Sequence, residues 1–167
     1  MVDIVPINAV TPAWIERLLD RAFGPDRHAR TAYRVRGDAA ALPDLSFAAL
    51  EDGTLVGSIQ CWPVCFSGDD GHDTPLVMLG PVAVEPNRQR GGLGRALVER
   101  SLAAAGPQAA LTLIGDPEYY CRFFGFTAEC TGEWRLPGPV ERRRLLARGA
   151  GIPAGPGALG PRVTAPA

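Results

Sequence analysis

The sequence predicts an α/β fold, and three segments carry this prediction. From Leu79 to Ala105, an apolar strand is followed by a turn, a glycine-rich segment and an amphipathic helix. Strand-like runs on both sides of Asp52-Gly53 indicate a β-hairpin, because this dipeptide favours the tight turns that join two strands. From Ala110 to Ile114, a short and continuous apolar run is typical of a strand covered on both faces.

The first part of the chain predicts a strand and two helices. Asp3 to Val10 alternates as an opening strand does. Thr11-Pro12 then supplies an N-cap and a proline at the first helical position, and Gly24-Pro25 ends the helix. The apolar stripe of this helix has helical spacing and consists of Ile15, Leu18, Leu19, Ala22 and Phe23. A second, short helix is expected between Arg27 and Arg36.

The central segments predict the strands of the sheet. The hairpin strands are expected at Leu45 to Glu51 and at Thr54 to Phe66. A polar loop from Ser67 to Thr74 precedes the next strand, Leu76 to Val84, and the helix after the glycines ends at Gly106-Pro107.

Beyond the central strands the prediction becomes weaker. Asp116-Pro117 opens a helix that runs through Phe124, and Glu133 to Leu136 predicts a further strand. Arg142-Arg143-Arg144 is interpreted as a solvated helix face, with the edge of a binding groove for an acidic acceptor as the alternative. Nine of the nineteen residues from Gly149 to Ala167 are glycine or proline, so this tail is expected to be mobile or draped over the surface. We therefore expect one domain over residues 1–148 and a tail over 149–167.

Composition and charge exclude several classes of function. The net charge of −1 argues against binding nucleic acid without regard to sequence. No apolar run approaches the ~18 residues that a membrane span needs, and no secretory signal is visible, so a cytoplasmic location is expected. The chain of 167 residues has no lysine, which excludes a Schiff-base lysine and the lysine of a Walker A loop.

No metal site is predicted. Asp69, Asp70, His72 and Asp73 lie at a polar loop tip, where such side chains usually face water. The cysteines include no C-x-x-C pair and are expected to be structural or incidental thiols; they are Cys61, Cys65, Cys121 and Cys130.

The glycine-rich segment predicts a binding site for a pyrophosphate. Backbone N–H groups at a helix start converge on an anion, and the helix dipole favours its charge. A dinucleotide fingerprint is disfavoured, because Leu97 stands where the third glycine belongs and the downstream acidic residue is missing. A tight turn with no ligand remains the plain alternative.

The same segment resembles the acyl-coenzyme A loop of the GNAT N-acetyltransferase superfamily. Gln89-Arg90-Gly91-Gly92-Leu93-Gly94 fits the pattern Q/R-x-x-G-x-G/A. The resemblance implies that the pyrophosphate is bound by Gln89, Arg90, Gly91, Gly92, Leu93, Gly94 and Arg95, and that pantetheine lies along Val82, Ala83 and Val84. It also implies a mixed, twisted sheet of six or seven strands with splayed central strands and about four helices. A bulge at Gly80-Pro81 would leave an N–H free to polarise the thioester carbonyl.

A second segment, Gly115 to Phe126, resembles one bacterial branch of the same superfamily. Its GDPEYY start and its Gly-Phe pair correspond to a segment in which a tyrosine is thought to protonate the departing thiolate. Counting from Asp116-Pro117 selects Tyr120 as that acid, with Tyr119 in reserve. Counting back from Gly125-Phe126 reaches Cys121, so one residue is interpreted as inserted.

The resemblance implies an enzyme that moves the acetyl group of acetyl-CoA to a primary amine by direct attack in a ternary complex. Glu85 and Glu118 are the nearest acidic residues for a general base, but each is more simply a solvated surface residue. Many enzymes of this type are thought to relay the proton through water, so the base need not be a single side chain. The acceptor is expected to be a small-molecule amine or a peptide, and a homodimer is compatible with the superfamily. The alternatives are an enzyme acting on protein N-termini and a non-catalytic acyl-CoA sensor.

Overall fold

The structure, a computed structural model, describes residues 1–89 and 91–162. The helices within these ranges are α1 (Pro12–Phe23), α2 (Thr31–Arg36), α3 (Leu93–Ala105) and α4 (Pro117–Phe124). The strands are β1 (Val2–Pro6), β2 (Phe47–Glu51), β3 (Thr54–Gly68), β4 (Asp73–Val84), β5 (Leu111–Ile114), β6 (Trp134–Arg135), β7 (Leu145–Arg148) and β8 (Gly157–Pro161). None of the helices in the described ranges combines the length and the apolar character needed to cross a bilayer.

The strands form a mixed sheet, which confirms the predicted α/β fold class. The strand order is β1-β2-β3-β4-β5-β7, and β8 pairs with both β3 and β6. The pairs β4–β5 and β6–β8 are parallel, whereas β1–β2, β2–β3, β3–β8 and β5–β7 are antiparallel. The described residues thus contain eight strands where six or seven are expected from the sequence.

The chain divides into two compact units. The first holds residues 1–28, 41–61 and 80–107, and the second holds residues 29–40, 62–79 and 108 onward. The expected single domain over 1–148 stays a prediction.

In the first unit, α1 buries the apolar stripe predicted from its spacing. Ile15, Leu18 and Leu19 are buried against Ala48, Leu55 and Ala83 of three strands. The Asp52-Gly53 hairpin is confirmed, since both residues have positive φ angles, 50° and 80°, as the predicted tight turn requires. A register shift between Ala49 and Leu50 marks a β-bulge in the β2–β3 pair.

In the second unit, the structure corrects two expectations about the C-terminal part. Arg142–Arg144 form a single 3-10 turn in place of a helix face, and β7 follows directly. Part of the expected mobile tail, Gly157–Pro161, is strand β8, whose Leu159 is buried. Glycine content is misleading here because Gly157 is a packing residue, and a Cβ on it would lie 2.3 Å from Cζ of Phe66.

The parallel pairing of β4 with β5 is short. Val77 pairs with Leu111 and Met78 with Thr112, and no further pairs extend this register within the described residues. Strand β4 nevertheless continues to Val84, so its C-terminal half extends beyond the pairing. This is the strand that leads into the glycine-rich segment.

Candidate active site

Strand β4 delivers the chain to the glycine-rich segment. Its last residues, Val82, Ala83 and Val84, precede a 3-10 turn at Pro86–Arg88, and α3 begins at Leu93. Ala83 is fully buried in the α1 cluster. The side chains of Val82 and Val84 lie on the α3 side of the strand, since a Cβ on Gly94 would be 3.9 Å and 3.7 Å from their methyl groups. The pantetheine and pyrophosphate candidates are therefore neighbours in the first unit.

The start of α3 has the features of an anion cradle. Gly92, at the N-cap, has a left-handed backbone (φ 74°, ψ 12°), and a Cβ there would meet nothing within 4 Å. The Ala96 N–H donates to Gly92 O at 3.1 Å. The N–H groups of the first turn before Ala96 are therefore not used by the hydrogen bonds of the helix itself. The N-cap residue Gly92 has no side chain to cap the helix, and the first turn contains no acidic residue. Open space and uncapped N–H groups fit a pyrophosphate.

The remaining residues predicted to bind the pyrophosphate differ in their exposure. Gln89, Gly91 and Arg95 are exposed, and Leu93 is buried. Arg95 Nε donates to Glu99 Oε1 at 3.1 Å along the helix surface. Arg90 lies outside the described residues.

Two ion pairs hold the turn that precedes the loop, and the sequence patterns did not reveal them. Arg88 makes a bidentate contact with Glu51, with N–O distances of 2.6 Å and 2.5 Å. Arg21 Nε lies 2.6 Å from Glu85 Oε1. The two residues of the Arg88–Glu51 pair are 37 positions apart in the chain, and those of the Arg21–Glu85 pair are 64 apart. No local charge pattern could therefore have indicated these ion pairs. The two ion pairs join the turn before the loop to α1 and to β2 of the same unit.

Tyr119 and Tyr120 lie in the second unit, on α4. Asp116 caps this helix by accepting the Glu118 N–H at 3.0 Å, as the sequence predicts. The two tyrosine rings are perpendicular, with centroids 5.0 Å apart. Gly115 leaves room for the second ring, because a Cβ there would be 2.6 Å from Cε2 of Tyr120.

Tyr120 and its neighbour Cys121 differ in environment. Tyr120 is half-buried, with its ring near Phe124 and Phe126, whereas Cys121 is exposed. Burial raises the pKa of the Tyr120 phenol to about 12, and Tyr119 and Asp116 act in the same direction. A phenol is protonated at neutral pH with or without this rise, so its proton is available for donation.

Neither acidic candidate for a general base is placed as a free carboxylate in an enclosed pocket. Glu85 is held by Arg21, and Glu118 is 82% exposed with Arg143 Nη1 3.8 Å away.

The Cys61 thiol is buried, and this burial raises its pKa to about 11, which makes it a poor nucleophile. Over residues 1–89 and 91–162, no group of three His, Cys, Asp or Glu side chains could hold a metal ion.

The loop-tip carboxylates of the second unit have protein partners. Asp69 accepts two hydrogen bonds from Arg135, at 2.7 Å and 3.0 Å, and these lower the pKa of the carboxyl. Asp70 lies 3.2 Å from His72 Nδ1 and also accepts the His72 N–H. Both contacts belong to an exposed turn.

Comparison with known families and proteins supports the resemblance to the GNAT superfamily independently of the site geometry. Residues 13–124 match the Acetyltransferase (GNAT) family. The chain is 32% identical over 138 residues to the uncharacterised N-acetyltransferase YhbS of Escherichia coli strain K12, covering 80% of this chain and 78% of the relative. It is 34% identical over 129 residues to the uncharacterised N-acetyltransferase YjhQ of the same strain, covering 75% of this chain and 68% of the relative.

Two solved structures of GNAT family proteins are also similar to this chain. A GNAT family acetyltransferase from Brucella melitensis, in complex with acetyl-CoA, has a TM-score of 0.63 at 28% identity over 94% of this chain and 93% of that chain. Escherichia coli YhbS in complex with CoA has a TM-score of 0.64 at 26% identity over 89% of this chain and 79% of that chain. Because the family match and the relatives both span most of its length, this chain belongs to the GNAT acetyltransferase family of enzymes.

Proposed function

We propose that this enzyme transfers the acetyl group of acetyl-CoA to a primary amine. The observation that carries the proposal is the uncapped start of α3, where Gly92 adopts a left-handed backbone beside open space. Two structural relatives, from Brucella melitensis and Escherichia coli, were solved with acetyl-CoA and with CoA. Both observations favour a coenzyme A pyrophosphate over a tight turn with no ligand.

The donor would be held by two groups of residues. The pyrophosphate would accept hydrogen bonds from backbone N–H groups of the glycine-rich segment and from the guanidinium groups of Arg90 and Arg95. The pantetheine arm would bond to the backbone of Val82, Ala83 and Val84 in the manner of an added strand.

The chemical step is direct attack without a covalent enzyme intermediate. The nitrogen lone pair of the amine attacks the thioester carbonyl carbon, and the carbon–sulfur bond breaks with its electron pair moving to sulfur. The Tyr120 phenol donates its proton to this sulfur, while the nitrogen loses a proton to water. The products are the acetylated amine and the coenzyme A thiol, and the phenolate recovers a proton from solvent. Tyr119 is the reserve candidate for the same proton.

A water relay is proposed for the proton that leaves the amine. Glu85 is engaged by Arg21, and Glu118 is largely exposed, so neither offers an enclosed carboxylate for this task. We expect the acceptor to be a small-molecule amine or a peptide, the location to be cytoplasmic and a homodimer to be the assembly to test first.

The site assignment is tested by Gly92→Asp with Gly92→Asn as its matched control. Asp and Asn have the same shape and both tolerate left-handed backbone, so their difference isolates the charge. A carboxylate beside the pyrophosphate costs several kcal/mol of binding. Calorimetry should show the Kd for coenzyme A rising by about a hundredfold or more for Asp and much less for Asn, with circular dichroism unchanged. Equal affinities in wild type and Gly92→Asp would refute the assignment.

A further inference from the structure

An open cleft lies between one flank of α1 and the β2–β3 turn, within the first unit. It has a volume of about 250 Å³, and its lining residues are Trp14, Arg17, Arg21, Gly53, Thr54 and Leu55. This volume is just below the range of about 300–1,000 Å³ that is typical of sites for drug-sized ligands. The size of the cleft therefore favours a small molecule over a protein segment.

The α1 side of the cleft presents an aromatic ring followed by two guanidinium groups. Trp14, Arg17 and Arg21 are spaced by three and four residues, so they follow one flank of the helix beside its buried stripe. Trp14 is 46% exposed, although tryptophan is highly buried on average. The helix rises by about 10 Å from Trp14 to Arg21, so the ring and the second charge are well separated along the cleft.

The cleft is positively charged, because the carboxylates of α1 are bound to an arginine outside it. Glu16 and Asp20 both contact Arg27, which is buried. None of the residues that line the cleft is acidic. Arg17 is exposed, and its Nε donates a long bond of 3.4 Å to Ala13 O. An anion can therefore approach Arg17 without displacing a carboxylate of the described chain.

Arg21 uses only part of its guanidinium group within the protein. Its Nε lies 2.6 Å and 3.0 Å from the two carboxylate oxygens of Glu85. The Arg21 side chain is 48% exposed, and its Nη groups form no bond to any described residue. A planar guanidinium has five N–H donors, so Arg21 can bind Glu85 and an anion at the same time.

The opposite wall of the cleft is the hairpin turn. Gly53 has a φ of 80°, and a Cβ on it would meet nothing within 4 Å, so this part of the wall is backbone beside open space. Thr54 is exposed and brings a hydroxyl that can donate or accept, whereas Leu55 is buried. This wall leaves room for a flat ring beside Trp14.

The cleft is separate from the predicted pyrophosphate site. Ala83 belongs to the cluster that α1 buries, whereas Val82 and Val84 lie on the α3 side of the same strand. The two helices therefore cover opposite faces of β4. The cleft also does not suit an amine acceptor, because two guanidinium groups repel an ammonium ion.

An aromatic ring beside two guanidinium groups matches the chemistry of a nucleoside phosphate. A base stacks on an aromatic side chain, and a phosphate accepts charge-assisted hydrogen bonds from arginine. Arg17 and Arg21 are four residues apart, which allows both to reach one phosphate. We propose that this cleft binds a nucleoside phosphate, with its base on Trp14 and its phosphate at the two arginines. The inference goes beyond the proposed acetyl transfer and does not depend on it.

The test measures the binding of AMP by calorimetry and by tryptophan fluorescence. Trp62 and Trp134 are buried, so quenching by a stacked base reports on Trp14. Trp14→Ala and Arg17→Gln should each raise the Kd for AMP about tenfold, and Trp14→Phe, which keeps a ring, should raise it less. Arg100→Gln is the matched control, because Arg100 is an exposed arginine of the same unit outside the cleft, and it should leave the Kd unchanged.

Two further titrations sharpen the assignment of the ligand. Adenosine should bind wild type more weakly than AMP, because it lacks the phosphate. AMP binding that persists in saturating coenzyme A identifies a free nucleotide as the ligand. Displacement of AMP by coenzyme A, together with weaker coenzyme A binding in Trp14→Ala, identifies the nucleotide end of coenzyme A as the occupant of the cleft.

Several results would overturn the inference while the proposed function stands. They are the absence of AMP binding to wild type, an unchanged Kd for AMP in Trp14→Ala, and equal losses in Arg17→Gln and Arg100→Gln. Displacement of AMP by coenzyme A without weaker coenzyme A binding in Trp14→Ala would place AMP in the coenzyme A site and would also overturn it. Failure of the Gly92→Asp test would instead refute the pyrophosphate assignment and leave this cleft unaffected.

Discussion

At the scale of single residues, the proposed chemistry involves a buried phenol and a helix start without a capping side chain. Burial raises the pKa of the Tyr120 phenol, and Gly92 at the start of α3 has no side chain to cap the helix. Both arrangements are unfavourable in isolation, since they forgo solvation or a stabilising hydrogen bond. Such local departures from stability are expected at functional positions.

The role of Tyr120 is tested by Tyr120→Phe, which keeps the ring and its contacts with Phe124 and Phe126. Removing the acid should lower kcat by about 10²-fold or more and leave the calorimetric Kd for acetyl-CoA unchanged. Tyr119→Phe is the matched control and should retain most of the activity. The opposite ranking of the two variants would transfer the role to Tyr119, and full activity in both would remove the phenol from the mechanism.

The pH dependence of kcat gives a second test of the same residue. The pKa of Tyr120 is about 12, so the phenol remains an acid up to that pH, whereas the amine gains its lone pair as pH rises. Initial rates should therefore rise or stay level from pH 7 to 10. A decline centred near pH 10, in a protein still folded, would contradict a raised pKa. Above pH 10 the unfolded chain loses the Tyr120 proton at a lower pH than the folded chain does. The free energy of unfolding therefore falls as the pH increases.

At the scale of elements, the least predictable strands are those supported by distant pairing. α1, the β2–β3 hairpin, α3 and α4 have caps, turns or apolar periods that predict them, and the structure confirms each. β7 follows three arginines that suggested a helix, and β8 consists of GALGP. Their identity as strands comes from pairing with β5 and β3, which no local pattern encodes.

The packing role of β8 is tested by Gly157→Ala, with Gly160→Ala as the control on the same strand. The added methyl at Gly157 would lie 2.3 Å from Phe66 Cζ and 2.7 Å from Ser67 O, whereas at Gly160 it would meet nothing within 4 Å. Urea denaturation should show a loss of about 1–3 kcal/mol for the former. The latter should match wild type or exceed it slightly. Equal stabilities would show that β8 does not pack in solution as described.

At the scale of the whole molecule, the sequence predicts a binding site for the acyl donor but does not predict the acceptor. The predicted pyrophosphate site is local in the sequence, because one strand, one glycine segment and one helix would form it. The ion pairs of Glu85 and Glu51 join residues far apart in sequence, so only the fold reveals them. The expected family and fold class are confirmed, and the site residues remain predictions.

The pairing of β3 with β8 also sets a condition on how the chain reaches its native state. Val64 to Gly68 meet their β8 partners only after nearly a hundred further residues have been synthesised, as the pairing of Val64 with Pro161 shows. Until then this part of an apolar, fifteen-residue strand presents unpaired backbone groups on one edge. Contacts between such distant residues form slowly, and open edges are templates for association between chains. Yield of soluble protein should accordingly depend on the synthesis temperature more than native stability alone would suggest.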